Sequence, residues 1–454
     1  MSSLDKVISW IDETREQSIE KLARLISQPS VSSTGEGVEE CAQLLVEMLT
    51  EVGLDAKVMP TKGLPAVYAE RIAPGTPTVI FYGHYDVQPV GDLSLWETPP
   101  FEPDIRNGRM YGRGTGDNKG QLLTHIIAVD AFLKTYGELP CSVKFLLDGE
   151  EESGSPNLGD FVEENKELLK ADVCYFADGP IHYSGRPQVV FGCRGIIDVE
   201  IVLDENIRDC HSGHYGALIP NPAWRLVHLL KTMKDAGGKV LVEGFYDKVR
   251  PITPAEEEVL KHIPFDVESY FEGVRYPGTG PEWDRIEALK AHMFQPTMTI
   301  TGLGSGYTGE GVATIVPAKA VCKIDMRLVA DQDPDEIFEL IEKHVKKHLP
   351  EAKVSGHGKM YPSRTELELP ISQAIIGAVK RAWGVDPVVV PSSGASCPEY
   401  VFTQILEMPT ISVPYANPDE NNHAPNENFD LDLFIQGIKT TAHVIDTIAK
   451  HEEW

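Results

Sequence analysis

Three short apolar runs, "TVIFYGHYDV" from residue 78, "CSVKFLLDG" from residue 141 and "ADVCYFADG" from residue 171, restrict this chain more than any other feature. None alternates apolar with polar residues, so each reads as a strand covered on both faces. Between and around them lie amphipathic stretches: "VEECAQLLVEMLTEVG", "GQLLTHIIAVDAFLKTYG" and "NLGDFVEENKELLK". Buried strands interleaved with helices of this length require an α/β layer with a mostly parallel sheet flanked by helices. In that architecture ligands gather beyond the carboxyl ends of the strands.

From about residue 190 the pattern changes. "IIDVEIVL", "TMTITGLG" and "VCKIDMRLV" alternate, and two amphipathic helices, "NPAWRLVHLLKTMKDAG" and "PDEIFELIEKHVKKHL", accompany them. That is the signature of an open-faced α+β unit. After residue 365, "LPISQAIIGAVKRAWG" and "PTISVPYAN" return to the first manner. The expectation is a discontinuous α/β domain, 1–189 and 366–454, with an inserted α+β domain at 190–365. At 454 residues, two domains agree with the size at which single cores stop growing.

Composition narrows the function. With 41 Lys+Arg against 69 Asp+Glu the net charge is −28, which disfavours nucleic acid and anionic membrane surfaces as partners. Seven scattered cysteines without a C-x-x-C pair fit reduced thiols in a cytoplasmic protein. The amino terminus, "MSSLDKVISWIDETREQSIEKL", is charged throughout with an apolar stripe at helical spacing, so it reads as a surface helix.

Each apolar run of the first part ends in a group able to ligate a metal. "TVIFYGHYD" ends in His84 and Asp86, "CSVKFLLDGEEE" in three glutamates, "ADVCYFAD" in Asp178, and the glycine-rich "YGRGTGDNKG" delivers Asp117 before a helix. Singly, each has a bland reading: a solvated loop pair, favourable charge at a helix start, an N-cap or a turn. Four such crossings on one rim make coincidence a poor account. Mixed imidazole and carboxylate ligands favour Zn, Mn or Co over Ca or Mg.

The motifs "GHYDV", "GRGTGDNKG", "DGEEESGS", "FADG" and "NNHAPNENF" resemble, in order, those of carnosinase-like dipeptidases in the metallopeptidase family that also holds aminoacylase, acetylornithine deacetylase and glutamate carboxypeptidase. The resemblance implies two divalent ions, Zn²⁺ first, with Mn²⁺ or Co²⁺ as alternatives. Asp117 would bridge them, His84 and Asp178 would complete one site, and Glu152 and His423 the other. A bridging hydroxide would attack the peptide bond with Glu151 as general base, Asp86 would orient His84, and the Asp117–Asn118 bond would be cis. On an extended segment adjacent side chains diverge, so Glu152 would face the ions and Glu151 the water. Glu150 is then an ordinary hydrogen-bonded carboxylate.

For the inserted domain the resemblance implies a lid and dimerisation role, with His211 reaching the partner subunit's site. It also implies substrate contacts from Asn221, a carboxylate clamp from Arg327, and backbone contacts from the "PSSGASCPEY" loop at Gly394 and Ser396. Read as bare residues, His211 is a loop histidine, Asn221 a helix cap, Arg327 an exposed strand residue and the loop a plain loop. Trp224 and the aromatics of "EGFYDKV" are expected to pack inside that domain. The function expected is cleavage of dipeptides or short peptides. Its rivals are an N-acyl-amino-acid deacylase of the same family and, from another class, a non-catalytic protein that binds a cation or cationic ligand. A glycosidase built on paired carboxylates would leave His84 and His423 unused.

Overall fold

The computed structural model describes residues 3–274 and 283–452. Its main sheet has eight strands in the order Asp55–Met59, Ala66–Arg71, Ser142–Asp148, Thr78–His84, Val173–Phe176, Thr410–Ser412, Gln188–Val190 and Val388–Val390. The central four run parallel to one another. Antiparallel pairing is confined to the two strands before them and to the contact between Thr410–Ser412 and Gln188–Val190. Parallel strands side by side bring their carboxyl ends to one rim: His84 pairs in register with Asp148, Tyr82 with Phe176, and Phe176 with Ser412.

Both faces of this sheet are covered, which is why its strands carry no alternation. Helix Lys119–Tyr136 is buried on every side from Lys119 to Phe132. It lies between the sheet and the terminal helix Leu431–Ala449, and the three share one core with the helices Ser3–Glu13, Arg15–Ile26 and Val38–Val52. The expected single amino-terminal helix is thus two, parted at Thr14, where the backbone leaves the helical region. The stretch 157–170 likewise divides at Asn165 into Leu158–Glu164 and Lys166–Leu169.

Residues 195–360 contain a second, four-stranded antiparallel sheet, ordered Thr299–Ser305, Lys319–Leu328, Gly195–Asp204, Lys353–Met360. Gly195–Asp204 alternates buried with part-exposed residues along its length. Its inward side chains Ile197, Val199, Ile201 and Leu203 pack against Leu226 and Leu229 of helix Pro222–Met233 and Ile337 and Ile341 of helix Pro334–His348. Among the described residues only one face is covered, as the alternation requires. Helices Pro254–Leu260 and Arg285–Phe294 belong to neither side of this sheet; they pack on Val190, Val388 and Val390 of the main one.

The chain enters this region through Gly192–Cys193 and leaves it through Ser363–Arg364, and these two short strands pair with each other. Trp224 departs from expectation. It is 65 % exposed on the outer face of helix Pro222–Met233, whereas Phe245 of "EGFYDKV" is buried. The helix buries the stripe of Leu226, Leu229 and Met233, and position 224 falls on the opposite side.

Candidate metal centre

His84 is the last residue of its strand, fully buried, and its ring is held from behind. Nδ1 lies 3.1 Å from the Asp86 carbonyl oxygen and 3.4 Å from the Asp86 carboxylate. Nε2 therefore faces the rim, 3.0 Å from Asp117 Oδ1 and 3.7 Å from Asp178 Oδ2. It is buried but makes no hydrogen bond of acceptable geometry, as befits a nitrogen aimed at the space between those oxygens.

Asp117 arrives on the loop before helix Lys119–Tyr136, with a cis bond to Asn118. That loop is shaped by a residue far along the chain. The buried Glu427 carboxylate accepts the backbone N–H groups of Gly114, Gly116 and Asp117, and Arg113 donates to it at 2.8 Å. Gly114 sits at φ +89°, where a side chain would also collide with Val87. Asn118 in turn donates to the Ala177 carbonyl beside Asp178.

The glutamate triplet differs from the expected extended segment. Glu151–Ser153 is one turn of 3₁₀ helix, because the Asp86 carboxylate accepts the backbone N–H groups of both Glu151 and Glu152 and bends the chain around itself. The side chains still diverge, through the turn and not through strand alternation. Glu152 accepts from the backbone and side-chain amides of Gln88 and lies 3.1 Å from His423 Nε2. Glu151 points elsewhere, 3.9 Å from His84 Nε2. Glu150 is spoken for: it accepts from the Leu64 backbone and from Asn157.

Two ligand sets result. His84, Asp117 and Asp178 place one ligand atom each within 4.8 Å of the others, as do Asp117, Glu152 and His423. Asp117 belongs to both and Glu151 to neither. His423 completes the second set from a backbone at φ 58°, 3.1 Å from the other Asp117 oxygen.

The electrostatics show how densely negative charge is gathered here. Burial, with Asp117 adding to it, pushes Asp178 up to about 7, and burial also raises Glu151. Contacts to Asp117 and Glu152 raise His423 to about 10. For His84, burial alone would disfavour the charge, but Asp117 and Asp86 outweigh it and the ring is raised. Burial would likewise raise Asp117, yet His423 and His84 hold it far below the usual carboxylate range. Glu420, packed behind Asp117 and burdened by burial and that charge, is lifted to about 9. The raised carboxyls share one setting, burial beside other carboxylates at one rim. Two like charges 4 Å apart repel by roughly 4 kcal/mol at an effective dielectric near 20. Two imidazoles and three carboxylates are a donor set suited to Zn, Mn or Co, and divalent cations would relieve the repulsion directly.

The centre opens into a cleft of about 380 Å³ lined by Asp117, Glu151, Glu152, Asp178 and His423, with Ser393, Ala395 and Ser396 on the wall. Arg327 donates to Ser396 Oγ at 2.9 Å, so two expected substrate contacts stand together. The Gly394 carbonyl accepts from Arg194, and a side chain at 394 would strike the His292 ring. Asn221 caps helix Pro222–Met233 by accepting from Ala223 and Trp224. His211 is exposed, accepts from the Gly213 N–H and does not line this chain's cleft. Sequence reasoning missed Gln88, Glu420 and Glu427. Glu427 was the most findable, being an acid inside the "NNHAPNENF" motif.

Residues 80–447 match the model of peptidase family M20/M25/M40. Among curated proteins, the Cys-Gly metallodipeptidase dug1 of Schizosaccharomyces pombe is 28 % identical over 98 % of this chain and 98 % of its own. The Beta-Ala-His dipeptidase of Rattus norvegicus is 31 % identical over 86 % of this chain and 80 % of its own. Among solved structures, the M20 family metallo-carboxypeptidase Sso-CP2 from Sulfolobus solfataricus is 38 % identical with a TM-score of 0.89, covering 95 % of this chain and 99 % of that one.

Proposed function

Because the chain belongs to peptidase family M20/M25/M40, and so is a metal-dependent peptidase, we propose that it hydrolyses dipeptides or short peptides with a free carboxyl end. The observation that carries this is the sharing of Asp117 between two His/carboxylate sets with Glu151 free beside them. The named relatives are dipeptidases and a carboxypeptidase, which supports the substrate class.

His84, Asp117 and Asp178 would hold one divalent ion, and Asp117, Glu152 and His423 a second, with Zn²⁺ the best fit to the donors. When bound, such a pair polarises the scissile carbonyl and acidifies water. Glu151 takes the proton of the attacking water and returns it to the leaving nitrogen. Asp86 fixes the rim by holding His84 on one side and the Glu151 and Glu152 backbone on the other. Arg327, with Ser396 at its tip, clamps the substrate carboxylate, a task suited to a planar guanidinium.

Residues 190–365 act as a lid and pair with a second copy. Trp224 and Val227 are exposed on helix Pro222–Met233, and Ile300 and Leu303 on the strand Thr299–Ser305, which among the described residues is an edge of its sheet. In the dimer, His211 of the partner subunit would reach the cleft and stabilise the oxyanion, and the paired strands at 192–193 and 363–364 would form the hinge. All seven cysteines are free, which supports a reducing cytoplasmic setting. Among the described residues no helix is long and apolar enough to cross a membrane.

The test is a substrate panel with metal-loaded protein. Free dipeptides should be cleaved, carboxyl-amidated dipeptides poorly, and N-acetyl or N-succinyl amino acids not at all. Preferential turnover of the acylated compounds would replace this reading with a deacylase, and no turnover of any of them with a binding protein.

A further inference from the structure

A second group of metal-binding side chains lines the same cleft, and nothing in the mechanism uses it. Cys193 lies on the crossover strand Gly192–Cys193, and Cys397 and Glu399 lie at the end of the loop that carries Ser396. One ligand atom from each falls within 4.8 Å of the other two. Cys397 Sγ is 3.4 Å from Glu399 Oε1, and Cys193 Sγ donates to the Cys397 carbonyl at 3.4 Å. Glu399 is only 4 % exposed, yet among the described residues its second oxygen has no hydrogen-bond partner. A buried carboxylate oxygen left unpaired beside two thiols is costly unless something binds there.

Chemistry restricts that something. Two sulfurs and one carboxylate form a soft-to-borderline set, and Zn–S and Zn–O bonds of about 2.3 and 2.0–2.2 Å put tetrahedral neighbours roughly 3.5–3.8 Å apart. The Cys397 thiol donates to Glu399 Oε1 at 3.4 Å, so the two groups need shift only slightly to share an ion. We infer that Cys193, Cys397 and Glu399 form a third metal site, for a single thiophilic divalent cation, in the wall of the substrate cleft. On binding, both thiols lose their protons to solvent and the fourth position stays open toward the cleft. The ion would tie the crossover strand to the loop that contacts Arg327, and so would obstruct the cleft and the hinge together.

The site is tested by titrating the full-length, zinc-loaded protein with Cd²⁺ while following thiolate-to-metal charge-transfer absorption. The His/carboxylate sets contain no sulfur and give no such band. One equivalent with a thiolate band is expected, together with a cadmium NMR resonance in the sulfur-ligated range. Cys193→Ser and Cys397→Ser should each weaken that equivalent tenfold or more, and Glu399→Gln severalfold. Inhibition by cadmium, measured against each protein's own cadmium-free rate, should follow the same order. Absence of a thiolate band and of a sulfur-ligated resonance in the unaltered protein overturns the inference. So does an undiminished equivalent in the Cys193→Ser/Cys397→Ser double variant. The titration of the unaltered protein needs no variant to fold, and none of the spectroscopic readouts needs a peptide to be cleaved, so their outcome is separate from that of the peptidase reading.

Discussion

The two sheets use their strands in opposite ways. In the main sheet both faces are buried, so side chains along the strands are committed to packing and only the strand ends are free for chemistry. His84, Asp178 and the glutamate turn all stand there. In the smaller sheet one face is uncovered, and its chemical candidates lie along the elements: Arg327 within a strand, Asn221 at a helix start, His211 on a short exposed strand. Burial thus concentrates charge at a rim, where cations can answer it, while an open face spreads its polar groups along the elements.

Metal removal should separate the two regions most sharply. Chelation is expected to drop turnover to background, with recovery on adding Zn²⁺, Mn²⁺ or Co²⁺ back, as read in a dipeptide assay. Recovery without added metal would break the assignment of the rim. Next in size, Glu151→Gln should lower kcat by about 10²–10⁴-fold with KM little changed, the mark of lost proton transfer. An unimpaired variant would remove Glu151 from the chemistry.

On the smaller sheet, Arg327→Met should cost roughly 1.5–3 kcal/mol in kcat/KM, mostly through KM. The loss should vanish with carboxyl-amidated substrates. If it persists with them, Arg327 is a structural strut and not a clamp.

Back in the main core, His125 lies buried against Phe81 with one nitrogen 3.0 Å from Thr441 Oγ1, and burial lowers it to about 3. The native state thus refuses a proton that the unfolded chain accepts near pH 6.5. Its contribution is complete above that pH and falls by about 1.4 kcal/mol per unit as pH drops toward 3. His125→Leu should flatten that part of the acid limb in denaturant titrations. The smallest effect is at Asn221. As a cap alone, Asn221→Ala costs about 1 kcal/mol of stability and leaves KM unchanged. A raised KM would give it the substrate contact that the resemblance implies.

Several of these assignments are legible in the order of residues alone. The apolar runs announce the parallel strands and their polar ends, and the alternation around Ile197 and Arg327 announces a sheet open on one side. Other features are not legible there. The bend at Glu151–Ser153 depends on Asp86, some 65 residues earlier in the chain. The exposure of Trp224 depends on which stripe of its helix the smaller sheet covers, and a helix with apolar groups on two sides does not reveal that choice.

Local sequence thus sets the supply: which residues can ligate, in what order, and at the ends of which strands, because periodicity and turn chemistry act over a few residues. It takes the folded arrangement to put Asp117 in two sets at once, to let Glu427 shape the loop delivering it from 310 positions away, and to bring the Cys193 thiol, 204 positions before Cys397, to the Cys397–Glu399 turn in the cleft wall. Those meetings follow from strand order and packing, which carry remote segments to within a few ångströms of one another and which no local spacing encodes.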